Sequence, residues 1–480
     1  MGLKAHKFGT HPFDTTYDVI DSATLQCTDL KKGSNKFYQM ELHKNASGYW
    51  RIFTANGRTG SYSTQLERMP EDETAGRAEY AKIFRTKTTR KSQPYTKVDV
   101  VNSNLGTDAG NQVVQSDDFD QKNITVADTG KKNKSKKVIP IKISQLVSRL
   151  YSEAGNACKS QLHGSVQASE ENPLGTLTKT QIEDGRAILQ EANAILVADA
   201  TRIDSIESEV IAITDKFYST IPQEIALRPK TKAGEDARDD WMRGIALNNA
   251  TILDDKFDLL DLLGDVKGMM GGFATTDEEK RLKEANCEFS EVDSATFKQV
   301  CDLIVNTQSK HHNWKLNPRR IFSMKSKSQS SHKKTMGETG NCQELFHGSG
   351  SQNILGICKR GILIRPPGVY ITGALLGNGA YFANNSTKSS QYSTGRFGGS
   401  GSSNGNTSFM FVANVALGKV KKLSKGSSSI VKAPNGFDSV MGAANYTDCG
   451  WSKLLHDEFV VYDVKQHTLD YLIEFEQSYR

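Results

Sequence analysis

The chain has 480 residues, enough for two to four domains with more than one core. Its charged fraction of 24% and apolar fraction of 37% are ordinary for a water-soluble protein, and no apolar run reaches spanning length, which argues against a helical membrane protein. Seven scattered cysteines without a Cys-x-x-Cys pair, and ten histidines without ligand spacing, argue against a disulfide scaffold or a structural metal site.

Residues 1–16 read as a short tail with no secretory apolar region, and an intracellular protein is expected. From Tyr17 the pattern turns to strands, through Ser22-Ala-Thr-Leu-Gln-Cys, Asn35-Lys-Phe-Tyr-Gln-Met-Glu-Leu and Tyr49-Trp-Arg-Ile-Phe. These β-branched and aromatic runs are separated by Lys-Lys-Gly-Ser and Lys-Asn-Ala-Ser-Gly turns. A helix near 75–86 completes an antiparallel sheet with one helix packed on it, over 17–102. Residues 1–100 carry sixteen Lys/Arg against eleven Asp/Glu. The stretch 103–138 is a polar linker, and Lys131-Lys-Asn-Lys-Ser-Lys-Lys within it suits polyphosphate contact or nuclear import.

Helices take over across 139–272. Thr178 with Gln181 three residues on is a capping box, and Ile182, Leu189, Ala192 and Leu196 then share a stripe. Ile203, Ile206, Val210, Ile213 and Phe217 recur at spacings of three and four, which predicts a second helix ending before Pro222. A third is expected over 252–263. These apolar stripes describe a helical bundle.

From 273 to 480 the pattern is α+β. Helix signals near 278–285 and 295–306 precede strands, the clearest at Phe409-Met-Phe-Val-Ala-Asn-Val and Tyr471-Leu-Ile-Glu-Phe. Adjacent His311 and His312 read as a solvated pair. Glu344-Leu-Phe-His-Gly-Ser-Gly is an apolar run that ends in hydrogen-bonding groups and glycines, as a strand at a pocket floor would. Tyr381 and Tyr392, with Ser389 near the second, supply two aromatic faces and a hydroxyl for a flat, amide-bearing ring. Downstream, alternation puts Glu458, Val460 and Tyr462 on one strand face, where a carboxylate is costly to bury without a task.

With Gly377-Asn-Gly-Ala-Tyr-Phe-Ala and Glu458-Phe-Val-Val-Tyr-Asp, this last region resembles the catalytic domain of the poly(ADP-ribose) polymerases, whose His-Tyr-Glu signature falls on His347, Tyr381 and Glu458. Residues 17–102 resemble the WGR domain of that family through Ser22-Ala-Thr-Leu, Asn35-Lys-Phe-Tyr, Tyr49-Trp and Gly57-Arg-Thr-Gly. Residues 139–272 resemble its helical regulatory domain through Pro173-Leu-Gly-Thr-Leu-Thr and Asp215-Lys-Phe-Tyr-Ser-Thr-Ile-Pro. The implied fold class is multidomain α+β: a WGR-like antiparallel sheet plus helix, an all-α bundle and an α+β ADP-ribosyltransferase fold.

The resemblance implies NAD+ as substrate, no metal, and transfer of ADP-ribose to proteins, including the enzyme itself. It implies DNA strand breaks as the stimulus, the nucleus as the location, and a helical bundle that shields the cleft until DNA binds. By the same resemblance Gly348 and Ser389 hold the nicotinamide carboxamide, and Tyr381 and Tyr392 sandwich the ring. His347 bonds the adenosine ribose, with Ser349, Asn353 and Gly356 lining that channel. Glu458 bonds the nicotinamide-ribose hydroxyl, stabilises the cation and orients an acceptor hydroxyl. Asp254 and Asp258 match acidic positions beside the adenosine end, and Gly264 with 268–272 is the hinge into the last domain.

The chain departs from the family at several places. Asn56 replaces the name-giving tryptophan that stacks on a DNA end, leaving Arg58 for phosphate contact and Trp50 as the neighbour able to compensate. Leu363 replaces an arginine near the adenine, with Arg365 two residues on; Asn378 replaces a lysine, and Ala374 an aromatic. Glu458 favours chain elongation, with single transfer or a non-enzymatic DNA-binding scaffold as alternatives. The run from Gly377 lacks a third glycine and a βαβ setting, which excludes hydride transfer on a Rossmann site.

Overall fold

The computed structural model describes residues 17–61, 63–98, 139–162, 174, 177–230, 234–364, 375–394, 407–423, 425–427, 429–444 and 454–479. The expected tail, the linker with its lysine run, Arg365 and Ala374 lie outside these.

Strands β1 (Tyr17–Asp29), β2 (Ser34–Asn45), β3 (Trp50–Arg58), β4 (Thr64–Arg68) and β5 (Thr96–Val98) form one sheet in the order β4-β3-β2-β1-β5. Helix α1 (Glu73–Thr88) starts where Asp72 accepts from the Ala75 N–H. It covers the face that carries Tyr38, Met40, Leu42 and Ile52. Trp50 is 4% exposed in that core, with the cations of Lys44 and Arg77 over its ring. Its face is covered, so it does not replace the missing tryptophan as a stacking platform.

The helical unit comprises α2 (Ile141–Gln161), α3 (Lys179–Ala198), α4 (Ser208–Thr220), α5 (Gly234–Arg243) and α6 (Ala250–Lys267). The capping box at Thr178 and Gln181 is present in both directions. The second predicted helix is shorter than its apolar spacing indicated. Asp204 takes a positive φ of 58° and its N–H donates to Asn248, so Ile203 and Ile206 lie ahead of α4. The sheet unit is tied to this bundle by side chains. Asp215 accepts from the Leu30 N–H at 2.9 Å, Asn35 donates to the Gln223 carbonyl at 2.8 Å, and Leu30 is buried in the same apolar cluster as Phe217 and Ile221. Burying that leucine contributes roughly 1.5–3 kcal/mol.

The remaining elements are α7 (Met270–Phe273), α8 (Glu278–Glu284), β6 (Cys287–Glu291), α9 (Ser294–Asn306), β7 (Trp314–Ser326), α10 (His332–Thr339), β8 (Cys342–Gly348), α11 (Ser351–Arg360), β9 (Ala380–Ala383) and α12 (Ser386–Ser393). They continue with β10 (Thr407–Ala416), β11 (Val420–Leu423), β12 (Ser439–Gly442), β13 (Glu458–Val461) and β14 (His467–Tyr479). Among the described residues nine strands make one sheet, β11-β12-β13-β9-β8-β10-β14-β7-β6.

The bundle docks on this sheet unit through one continuous apolar cluster from α2 and α6 into α11 and β10. Polar contacts fix the docking. Arg149 on α2 donates to the Thr407 carbonyl at 2.7 Å and pairs with Glu474, which Arg320 also bonds. Burial works against the Glu474 charge, but Arg320, Thr407 and Arg149 together hold its carboxyl below the usual range. No helix among the described residues is long and apolar enough to cross a membrane.

Candidate active site

Strand β8 sits between β10 and β9 but treats them differently. It pairs with β10 from Cys342 to Gly348, and with β9 at the one described pair Phe346↔Ala383. Beyond Phe346 the two halves of the sheet part, and β8 delivers His347 and Gly348 to the gap. Buried Leu345 and Phe346 anchor the strand.

His347 Nδ1 lies 2.9 Å from the Tyr381 carbonyl oxygen. A carbonyl only accepts, so Nδ1 carries the proton and Nε2 presents a lone pair. Burial lowers the pKa of this imidazole, partly offset by that hydrogen bond, and keeps it neutral.

Gly348 packs on α12 at a distance no other residue allows. A Cβ there would fall 1.9 Å from the Ser389 carbonyl oxygen. The helix is capped by Asn385, which accepts from the Lys388 N–H, and the Ser389 hydroxyl donates to the Phe346 carbonyl at 3.1 Å. Donation leaves the Ser389 oxygen lone pairs to accept from an amide N–H. Ser351 and Ser393 are buried nearby with hydroxyls that lack a hydrogen-bond partner among the described residues, and Ser393 Oγ is 3.0 Å from the Cβ position at Gly348.

Tyr381 is fixed at its hydroxyl, which donates to the Gly377 carbonyl at 2.7 Å and accepts from the Leu376 N–H at 2.9 Å. Burial raises its pKa, so the phenol stays protonated. The pairings Glu458↔Ala383 and Val460↔Tyr381 put Glu458 and Tyr381 on the same sheet face. Tyr392 is on α12 and 43% exposed.

Glu458 is 9% exposed, and its Oε1 lies 2.8 Å from Lys388 Nζ. Burial alone would favour the neutral amine, but Glu458 and then Tyr392 hold the Lys388 ammonium above its ordinary range. Sequence reasoning missed Lys388. The available signal was its place immediately before Ser389 on a short helix that also carries Tyr392.

Ser349 and Asn353 come together at the start of α11, with Asn353 Nδ2 3.4 Å from Ser349 Oγ. Gly356 does not join them as a channel wall. A Cβ on it would meet Asp265 Oδ2 at 1.9 Å, so its bare surface admits helix α6. Asp254 and Asp258 lie on α6 as expected, but the anchoring carboxylate is Asp265. It receives both Arg360 Nε at 2.7 Å and Nη2 at 2.8 Å. His312 also differs from expectation. It is 7% exposed and stacks on Trp314 with centroids 4.1 Å apart.

Of the residues expected to face DNA, Arg58 is engaged within the chain. Its guanidinium donates to the carbonyls of Gly33, Ile225 and Ala226, the last two in the segment after α4. Asn56 is half-buried on the same strand.

Three family models match in order along the chain. The WGR domain model matches residues 21–98, the poly(ADP-ribose) polymerase regulatory domain 138–283, and the poly(ADP-ribose) polymerase catalytic domain 294–477. The chain is 27% identical over 502 residues to poly [ADP-ribose] polymerase 1 of Xenopus laevis, covering 96% of this chain and 46% of that one. It is 27% identical over 501 residues to the Gallus gallus protein of the same name, covering 96% and 45%. It is 23% identical over 513 residues to poly [ADP-ribose] polymerase 2-A of Oryza sativa, covering 96% and 71%. The chain thus spans about half the length of the first two relatives. With all three models falling in sequence on the sheet unit, the bundle and the split-sheet unit, the chain belongs to the poly(ADP-ribose) polymerase family.

Proposed function

We propose that this chain is an ADP-ribosyltransferase, stimulated by DNA strand breaks, that breaks the nicotinamide-ribose bond of NAD+ and passes ADP-ribose to proteins, itself included, and then to the growing chain. The observation that carries the reading is the buried Glu458–Lys388 pair on the face shared with Tyr381, one residue away from Ser389. Proposed units are 17–102, 139–272 and 273–480, acting in the nucleus.

The bond in question breaks through an oxocarbenium-like state, so the site must fix the leaving ring, hold the sugar and stabilise positive charge. In this reading the Gly348 backbone and the Ser389 lone pairs hold the carboxamide, with Tyr381 and Tyr392 flanking the ring. His347 accepts at Nε2 from an adenosine-ribose hydroxyl, beside Ser349 and Asn353. Glu458, aimed by Lys388, bonds the nicotinamide-ribose 2′-hydroxyl and places negative charge beside the developing cation.

DNA control is assigned to the path from the WGR-like sheet into the bundle. Arg58 on the carbonyls of Ile225 and Ala226, and Asp215 on Leu30, support it, because a shift of the sheet on DNA pulls on the bundle through them. The bundle in turn is held on α11 by Asp265.

The test is labelled NAD+ with and without a short nicked or blunt duplex, resolved on a denaturing gel. Label appearing with DNA, as a ladder, is the expected result. A single shifted band rejects elongation in favour of single transfer. Equal label without DNA rejects DNA control, and no label in either lane leaves a DNA-binding scaffold.

A further inference from the structure

Beside the Lys388–Glu458 pair, on the adjoining face of α12, three histidines and an amide form a network that the proposed reading does not use. His312 Nδ1 lies 2.8 Å from Thr387 Oγ1, Gln391 Nε2 lies 2.9 Å from His312 Nε2, and His456 Nε2 lies 3.2 Å from the same atom. The rings of His312 and His456 meet edge to face at 4.8 Å, and His311 approaches His456 at 6.2 Å.

The proton positions in this network follow from the donors. The Gln391 amide nitrogen only donates, so His312 Nε2 is bare and the His312 proton is on Nδ1, given to Thr387 Oγ1. Thr387 Oγ1 also accepts from the Ser309 N–H and passes its own proton to Asn385 Oδ1, the cap of α12. A proton between two Nε2 atoms, one of them bare, belongs to the other ring. His456 therefore donates from Nε2 and presents an unprotonated Nδ1, which has no hydrogen-bond partner among the described residues. The buried chain Asn385–Thr387–His312 thus fixes the tautomer of a half-buried imidazole two residues before Glu458.

We propose that His456 Nδ1 is the base that receives the acceptor's proton. The inference rests on the ADP-ribosyltransferase reading above. As the acceptor oxygen forms its bond to the ribose anomeric carbon, the carbon–nitrogen bond breaks with its electron pair leaving on nicotinamide, and the acceptor O–H proton passes to His456 Nδ1. Glu458 remains free to stabilise the cation. The groups facing His456 are Lys388 from α12, His311 and His312 from the segment before β7, and Asp457 beside it in sequence, with Gln391 of α12 reaching it through His312. Burial, then Lys388 and His311, lower its pKa against a smaller opposing effect of Asp457, so the ring is neutral at pH 7, as a base must be.

The experiment uses the full chain with activating DNA and compares wild type, His456→Gln, His456→Ala and Gln391→Met. A positioned base contributes roughly 10²–10⁴-fold, so His456→Gln is expected to lower kcat for transfer within that range while 3-aminobenzamide binds as in wild type. The wild-type rate should fall on the acid side below the ordinary histidine range, and that limb should vanish in His456→Gln. Added imidazole should restore transfer in His456→Ala. Gln391→Met frees the His312 tautomer, and should lower kcat and move the acid limb at unchanged KM for NAD+. An unchanged rate and limb in His456→Gln, or a loss that imidazole does not rescue and that comes with lost 3-aminobenzamide binding, overturns the proposal. If wild type itself incorporates no label, the transferase reading has failed first; normal wild-type transfer with an indifferent His456 removes the base alone.

Discussion

Lys388 Nζ stands 2.8 Å from Glu458 Oε1, with the two side chains only 17% and 11% exposed. The lysine comes from α12 and the glutamate from β13, so the pair also ties the helix that carries Ser389 and Tyr392 to the strand facing Tyr381. Removing one partner of a buried pair leaves the other uncompensated, at about 3–5 kcal/mol. Lys388→Met is therefore expected to leave the Glu458 carboxylate without its orienting cation and lower kcat by about 10²-fold or more. KM for NAD+ should change far less, since Ser389 and Gly348 are untouched. Initial-rate kinetics decide this. A normal kcat in Lys388→Met would mean that Glu458 needs no orienting cation.

The regulatory helix α6 reaches the site helix α11 through the bidentate Asp265–Arg360 pair and the Lys359 ammonium on the Gly268 carbonyl. Burial raises the Asp265 pKa, with Arg360 opposing, so this carboxylate depends on its partner. Arg360→Ala should loosen α6 without stripping the apolar cluster that α2 and α6 share with β10. The expected outcome is several-fold higher transfer without DNA, little change with DNA, and faster amide exchange along α6. Faster exchange with no gain in DNA-free activity would separate the contact from control.

Much of this architecture was legible in the chain. Period-two runs marked β1 to β3 and β10, and the Thr178–Gln181 box marked the start of α3, because each signal is local. What escaped depends on distant pairs or on a single backbone angle. Asp265 and Arg360 are ninety-five positions apart, and nothing local in either marks a partner. Gly356 read as an opening for a ligand, whereas the space at a glycine is filled by whichever element folds onto it, here α6. Trp50 looked like a spare aromatic face until α1 and two cations covered it. Ile203 and Ile206 kept helical spacing, yet one left-handed residue, Asp204, ended the helix short of them.

Gly348 offers the sharpest test of the site itself. Its Cβ position is 1.9 Å from backbone oxygen on Ser389 and 2.8 Å from the carbonyl carbon, and neither can yield as a flexible side chain would. Gly348→Ala must push α12 off β8, moving Ser389, Tyr392 and Lys388 together. Binding of 3-aminobenzamide, measured by calorimetry, should be lost along with transfer. Far-UV circular dichroism should stay near wild type, since the rest of the sheet keeps its pairing. Retained binding would place the carboxamide elsewhere.

Stability should respond to pH through two groups of opposite sign. Burial raises Asp215 from its ordinary 3.8 to about 7, against the Leu30 N–H that bonds it. Between those values the folded chain binds the extra proton, so this contribution is full below about 3.8 and lost as pH rises through about 7. His467 behaves in reverse. Burial, then His347 and His332, lower it from 6.5 to about 3, and neither ring nitrogen has a hydrogen-bond partner among the described residues. Its contribution is present above about 6.5 and lost as pH falls toward 3. Asp215→Asn keeps an acceptor for Leu30 and should flatten the decline in Tm between pH 4 and 7. His467→Phe removes buried polar atoms that cost about 1–3 kcal/mol each when unpaired, and should raise Tm most at acid pH. Melting both variants from pH 4 to 8 separates the two effects, and a parallel shift at all pH values in either one would show that its titration is not coupled to folding.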